Sequence, residues 1–510
     1  MIRRALGLGL VLALPTHAGD IVHTGGTLGQ PLVYDLTGNG GIIYAFLPSL
    51  GQGPTPLGLI DPADPRLLNV GLDLQPLWTV SAFSGSGTAQ IVLPLPASAG
   101  LQGLTLHSQF VEIPLFPMFF GDISSPDAVV LGLPGTTAVG HGQTIENRTG
   151  NSFTPLDDGT VLAAGGAGYP PGGASLIVDT LEIIDPQLDG ALPLSAVLSS
   201  PRLFHGDTKL DDGRVLFSGG ADFNATATGL CDIYDPVTQT VSAAGALGEA
   251  RAFPVPIKLN DGRVFVSGGL GVYDPADLPA TMASGRSTTE IYDPQTDTWS
   301  PGPNLPKARA LHNASLLPDG RVLITGGIEV TVVFGLPIPS VSSDSQIYDP
   351  VSNTLSAGPS YTSGSALHAQ LTLPNGKVLI AGGLNIDLAQ LNFTPLDQTH
   401  LYDPNTNTWT QTADLDDPRG LLGMFDTGTG VVAIGGVKGV DVSTNSFTPA
   451  LGIETTDYNA LSWTRHSDMQ VGRETSTSAL VDNNTRALTI GAGTPQGTGP
   501  ANVVEIFFVP

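Results

Sequence analysis

One unit recurs seven times along the chain and restricts the fold more than any other feature. In outline it reads Arg-x-x-His, a short apolar run, Asp-Gly-Arg-Val-Leu, two apolar residues and Gly-Gly, then a loop, Glu-Ile-Tyr-Asp-Pro and a spaced Trp. The doublets are Gly165-Gly166, Gly219-Gly220, Gly268-Gly269, Gly326-Gly327, Gly382-Gly383 and Gly435-Gly436, with Gly491-Ala492-Gly493 as a degenerate seventh. Their spacings are 54, 49, 58, 56, 53 and 56 residues. A period of about 50 residues with four short strands per unit predicts an all-β, seven-bladed β-propeller. Such a ring is a platform, so the fold alone names no ligand.

The fourth unit shows how a blade is spelled. Residues 310–317 read as strand a, Pro318-Asp319-Gly320 as a tight turn, 321–325 as strand b, and 345–348 as strand c. Asp349-Pro350 opens a second turn, and strand d follows around Leu355. Glycine supplies the positive φ of the first turn. Strand b is a continuous apolar run, as expected of a strand buried between neighbouring blades. The Gly-Gly pair ends it and lets another backbone approach. Trp299 and Trp409 stand five residues after the proline of the second turn, and Trp463 takes the equivalent place in the sixth unit. These three are expected to pack blade on blade, not to stack sugars.

The doublet, the Tyr and the spaced Trp resemble the kelch repeat over about 145–510. The resemblance is to secreted bacterial kelch propellers, and distantly to the propeller of galactose oxidase. It implies a copper site only if a Cys–Tyr crosslink, a Tyr-His ligand pair and a further His and Tyr are present. The chain has no Tyr-His dipeptide, and its one cysteine, Cys231, stands beside Asp232 in strand c. Sialidase-type Asp boxes, Gly-x-Ser-x-Gly, His-Glu-x-x-His and EF-hand loops are absent as well. No catalytic residue, metal ligand or cofactor is assigned.

The seventh unit stops at strand c, Val504 to Phe508, and lacks a strand d. Open sheet edges invite aggregation, so a closing strand is required. Residues 128–133 are expected to supply it. Residues 19–125 lack the repeat and carry short apolar runs between Gly/Pro/Asp stretches, which predicts a small β-sandwich-like domain. Its clearest strand is 101–111. The propeller is then expected over 126–510.

Arg3 and Arg4, an apolar run over 5–14 and Thr16-His17-Ala18 read as a secretory signal peptide over 1–18. Ten apolar residues are too few to span a bilayer. The expected product is exported: secreted, periplasmic or on the cell surface, and monomeric. The formal charge of −26 becomes −28 without Arg3 and Arg4. Such a surface repels nucleic acid and anionic lipid.

The a–b and c–d turns share one face of the ring, and the b–c and d–a loops share the other. The b–c loops at 167–179, 270–289, 328–343, 384–398 and 437–452 are long and varied. Long loops on a rigid scaffold are where binding resides. They carry Tyr169, Tyr273, Met282, Phe334, Phe393 and Phe447, an apolar set suited to a partner, or to hairpins packing on one another. A second candidate is a ring of arginines at one slot before strand a: Arg148, Arg202, Arg251, Arg309, Arg419 and Arg473, with Ser365 in the fifth unit. They suit an anion or glycan carboxylate near the central channel, or a staple to acids at the start of strand c. Those acid slots hold Glu182, Asp232, Glu290, Gln346, His400, Glu454 and Glu505. His205, His312 and His368 lie three residues after the slot, as zinc or copper ligands or as packing groups.

Three functions remain open: a binding module for an extracellular protein or polysaccharide, a glycan-active enzyme with carboxylates on the long-loop face, and a structural surface or adhesion component.

Overall fold

The computed structural model describes the chain apart from residues 1–19, 57–65, 71–73, 75–76, 114–122, 125–126, 144–147, 169–175, 186–189, 223, 225, 275–276, 335, 388–391, 442–445, 471–476, 482–485 and 491–502. The 1–18 leader, Tyr169, Arg473 and the degenerate seventh doublet therefore lie outside the described residues. The chain divides into two compact units, 1–133 and 134–510.

The first unit holds two main sheets. Asp20–Thr24, Pro31–Thr37 and Thr88–Pro94 form one. Thr79–Ala82, Ile43–Ser49, Thr105–Ile113 and Asp127–Val130 form the other. Alternation along Pro31–Thr37 sends Leu32, Tyr34 and Leu36 inward, where they meet Phe46, Phe110 and Val129 in one core. The strand read at 101–111 runs from Thr105 to Ile113, because Ala99–Leu101 is a 3-10 turn. A buried pair, His23 Nδ1 to Asp127 Oδ1 at 2.8 Å, joins the two sheets.

The second unit is a kelch-type β-propeller. Among its described residues there are seven antiparallel four-stranded sheets. Their first strands are Ser152–Pro155, Gly206–Lys209, Val255–Lys258, Asn313–Leu316, Ala369–Thr372, Gly423–Asp426 and Thr477–Val481. Each touches the next in order, and the last touches the first. The second strands of the first six sheets, such as Val264–Ser267 and Val322–Thr325, are buried at every residue, as their apolar runs require. The tryptophans pack blade on blade: Trp299 Nε1 donates to the Gly245 carbonyl at 2.8 Å, Trp409 to Pro359 at 3.0 Å, and Trp463 to Ala413 at 3.0 Å.

Two expectations are corrected. The strand that closes the last sheet is Thr137–Gln143, paired with Val503–Phe508, not 128–133. Asp127–Val130 instead pairs with Thr105–Ser108 in the first unit. Residues 128–133 are the more apolar of the two segments, but in so short a run periodicity cannot say which neighbour it will find. Strand a of the fourth sheet is also not continuous over 310–317. Ala308–Ala310 belongs to a separate three-stranded sheet, and Leu311, at φ +53°, breaks the run before Asn313–Leu316.

Candidate functional site

The long-loop face is built on the glycine doublets. Gly268 and Gly269 have φ of +55° and +99°, left-handed values that suit glycine. A Cβ on Gly268 would fall 2.3 Å from the Arg309 carbonyl oxygen of the next blade. Gly269 donates its N–H to that same oxygen at 3.0 Å. The contact repeats as Gly166 to Arg202, Gly220 to Arg251, Gly327 to Ser365 and Gly383 to Arg419, at 2.8–2.9 Å. Each of these five doublets thus bonds to the arginine slot, or to Ser365 in its place, of the following blade.

The guanidinium groups turn back into their own blades. Arg148, Arg251 and Arg309 donate from Nη1 to the carbonyls of Gly165, Gly268 and Gly326 at 3.0, 2.7 and 2.7 Å. Each also meets an acid: Arg148 with Glu182 at 2.9 Å, Arg202 with Asp232 at 2.5 Å, Arg251 with Glu290 at 2.6 Å, and Arg419 with Glu454 at 2.7 Å. All five described arginines of the slot are buried. They do not face an open channel as the anion-site reading requires, because a guanidinium out of water needs fixed acceptors and finds them within the blade.

Two irregular positions have local explanations. Arg309 pairs with Glu329 of the b–c hairpin rather than with Gln346, since Arg309 and Glu329 stand opposite each other in register. Reading only the start of strand c misses this acid, although Glu329 is the one charged residue of 328–343. In the fifth blade Tyr361 fills the space, its hydroxyl 3.3 Å from Ser365 Oγ and its ring 5.3 Å from that of His400.

The three histidines lie in different blades and act between neighbours. His312 Nε2 is 2.8 Å from Ser267 Oγ and His368 Nε2 is 2.9 Å from Thr325 Oγ1, each partner ending strand b of the preceding sheet. Burial first, then nearby arginine charge, holds His205 and His312 down to about 3. Burial holds His368 down to about 4. Their proximity to one another is not that of a ligand set. Among the described residues, no group of three His, Cys, Asp or Glu is placed to hold a metal ion. Cys231 is buried, and burial raises its thiol to about 11.

One feature of the face was not read from the sequence. Phe204, Phe253, Leu311, Leu367 and Leu421, two residues after the slot, all have φ of +52° to +56°, and Gly150 stands in the equivalent place. Phe204 donates to Gly150 O, Phe253 to Phe204 O, Leu367 to Leu311 O and Leu421 to Leu367 O, at 2.8–2.9 Å. The regular large apolar residue at that slot was the available signal. These residues border two open pockets of about 230 and 350 Å³, the first lined also by Asn151, His205 and His312, the second by Asn313, His368 and Gln370.

Above them the b–c loops form a second tier. Ile328–Val333 with Leu336–Val341, Leu384–Asp387 with Asn392–Pro395, and Val437–Asp441 with Ser446–Pro449 are hairpins. Leu270, Met282, Ile328, Leu384 and Ile386 share a core there, with Tyr273 and Phe393 packed against it. Tyr273 and Phe393 therefore serve packing, while Phe334 is fully exposed at a hairpin tip. The side chain of Phe447 lies outside the described residues. Leu176, Leu230 and Val272 are exposed on the same tier.

The Kelch motif family matches residues 260–306, which span strands b to d of the third blade. No curated protein matches the chain in sequence. The solved structure of YjhT is similar to 64% of this chain and 99% of its own, at 15% identity and a TM-score of 0.47. Among the described residues no helix is long and apolar enough to cross a membrane, which says nothing of a β-barrel. The chain carries a kelch motif within a kelch-type propeller, a fold suited to protein interaction.

Proposed function

We propose that this chain is an exported, seven-bladed kelch propeller that binds an extracellular protein through its long-loop face. The observation that carries this reading is the second tier: its hairpins share a core of their own, yet leave Leu176, Leu230, Val272 and Phe334 exposed. An ordered face that carries several exposed apolar side chains suits a protein partner better than a polysaccharide. The buried arginines act as staples under this tier and do not contact the partner.

The test is to place a photo-crosslinking residue at Leu176, Val272 or Phe334, and as controls at Val237 or Val351, exposed on the short-turn face, in the producing cells. Discrete adducts with one protein from the long-loop positions alone support the reading. Equal labelling from Val351 refutes it. Turnover of an oligosaccharide panel, without adducts, transfers the function to the glycan-active alternative.

A further inference from the structure

We infer that the hairpin of Ile328–Val333 and Leu336–Val341 is an apolar plug that enters a pocket on a protein partner, with Phe334 as its anchor and a basic surface around the pocket. This deepens the interaction reading above and rests on it.

The hairpin has two halves. At its root Ile328, Glu329 and Val330 are buried. Glu329 is clamped by Arg309 on one oxygen and by Lys307 Nζ at 2.8 Å on the other. Beyond Val330 the register pairs Thr331 with Ile338, Val332 with Pro337 and Val333 with Leu336. Val332, Val333 and Ile338 are exposed there, and Phe334 has 102% of its reference surface in water. A tip stiffened at its root loses little freedom on docking.

Phe334 is also an expensive residue for its place. It turns the hairpin at φ +52°, a left-handed conformation in which a bulky side chain is disfavoured and Asn or Gly is the usual choice. Neither folding nor solubility explains an aromatic ring at a strained turn with no intramolecular contact to gain. An anchor that fills a pocket does.

The chemistry of the occupant follows from charge and backbone. From 328 to 343 there is no Lys or Arg. The b–c loops at 167–179, 221–230, 270–289, 328–343, 384–398 and 437–452 hold eight acids against two bases, Arg286 and Lys438, and of the eight Glu329 is already paired to Arg309 and Lys307. This acidic setting repels anionic lipid and a second copy of the chain, and complements a basic protein surface. Strand addition is also disfavoured, since Pro337 and Pro339 remove two N–H groups from one strand of the hairpin. What remains is insertion of the tip into a pocket.

The experiment uses the full chain, with the crosslinking residue at 334 and at 338 in the producing cells. The adduct is identified, and that protein is purified and titrated against wild type, Phe334→Asn and Ile338→Ser. The proposal expects Phe334→Asn to weaken binding by at least about tenfold. It expects the same variant to melt no lower than wild type, because Asn relaxes the left-handed turn. It also expects association to slow by about tenfold between about 0.1 and about 0.5 M salt. Salt-independent binding overturns the basic rim. An adduct with a second copy, or co-sedimentation with phosphatidylcholine vesicles that Phe334→Asn abolishes, overturns the protein pocket. Adducts from Leu176 or Val272 but not from 334 overturn the plug and leave the long-loop reading standing. No adduct from any long-loop position overturns both.

Discussion

The Nε2 atom of His312 lies 2.8 Å from the Oγ of Ser267 in the preceding blade. His368 repeats the contact with Thr325. In the second blade, however, His205 meets Ala164 at the equivalent position, and its Nε2 has no partner among the described residues. Removing one partner of a buried polar pair costs about 1–3 kcal/mol. Ser267→Ala is therefore expected to lower stability by about 1–2 kcal/mol. Ala164→Ser, which gives His205 the missing hydroxyl, is expected to move the urea midpoint the other way. Equal midpoints for both variants would mean that these imidazoles do not couple the blades.

The same three histidines set an acid limit. Their folded values are held at about 3, 3 and 4, below the ordinary value of 6.5. Below pH 6.5 the unfolded chain takes up protons that the folded chain refuses. Stability is then full above pH 6.5 and falls as the pH drops towards 4. Three groups titrating together give a slope of up to about 4 kcal/mol per pH unit across that window. Replacing all three with Gln is expected to flatten the profile of melting temperature between pH 6 and 4. A triple variant with the wild-type slope would assign the acid sensitivity elsewhere.

The arginine ring yields a stability prediction rather than an affinity one. Arg251 is fully buried, with its Nη2 2.6 Å from Glu290 Oε1 and its Nη1 on the carbonyls of Gly268 and Thr288. Arg251→Met leaves the Glu290 charge unpaired in a dry site and is expected to cost about 3–5 kcal/mol. Adding Glu290→Met removes the stranded charge and is expected to recover part of that loss. Calorimetry of the single and double variants measures this, and a double variant no more stable than Arg251→Met would show that the carbonyl contacts dominate.

The blades were legible because their signals are local. Asp-Gly turns, apolar strands and Gly-Gly stops act within a few residues, and each recurs often enough to fix the period. The staple between Arg309 and Glu329 was not legible, because it depends on a hairpin register that brings residues 20 apart face to face. The left-handed residues from Phe204 to Leu421 were hidden for another reason. Propensity places Gly or Asn at positive φ, and here Phe and Leu are held there by the blade-to-blade hydrogen bonds that surround them. The exposed face was legible as long loops, but which of their aromatic residues are core and which are surface depends on packing between loops. Tyr273 and Phe393 went one way and Phe334 the other.

The closing strand offers the last test. Thr137–Gln143 pairs with Val503–Phe508, and its start is held further by Thr137 Oγ1 on the Asp468 carbonyl at 3.1 Å and by Gln470 Nε2 on the Thr137 carbonyl at 3.2 Å. These contacts span more than 330 residues of sequence. Ala138 stands in register with Ile506, two residues along from Thr136, whose carbonyl accepts from the Phe508 N–H at 3.0 Å, so the Ala138 N–H faces the partner strand. Ala138→Pro removes that ladder donor and forces its own φ, which the pairing does not absorb. The expected result is loss of the fourth strand from the last blade, a melting temperature lowered by several degrees, and proteolysis first in residues 477–508. The same substitution at Val129 acts on the sheet of 105–113 instead, so protease sites should then appear first within residues 20–133. If both prolines expose the same sites, the ring is not closed by Thr137–Gln143.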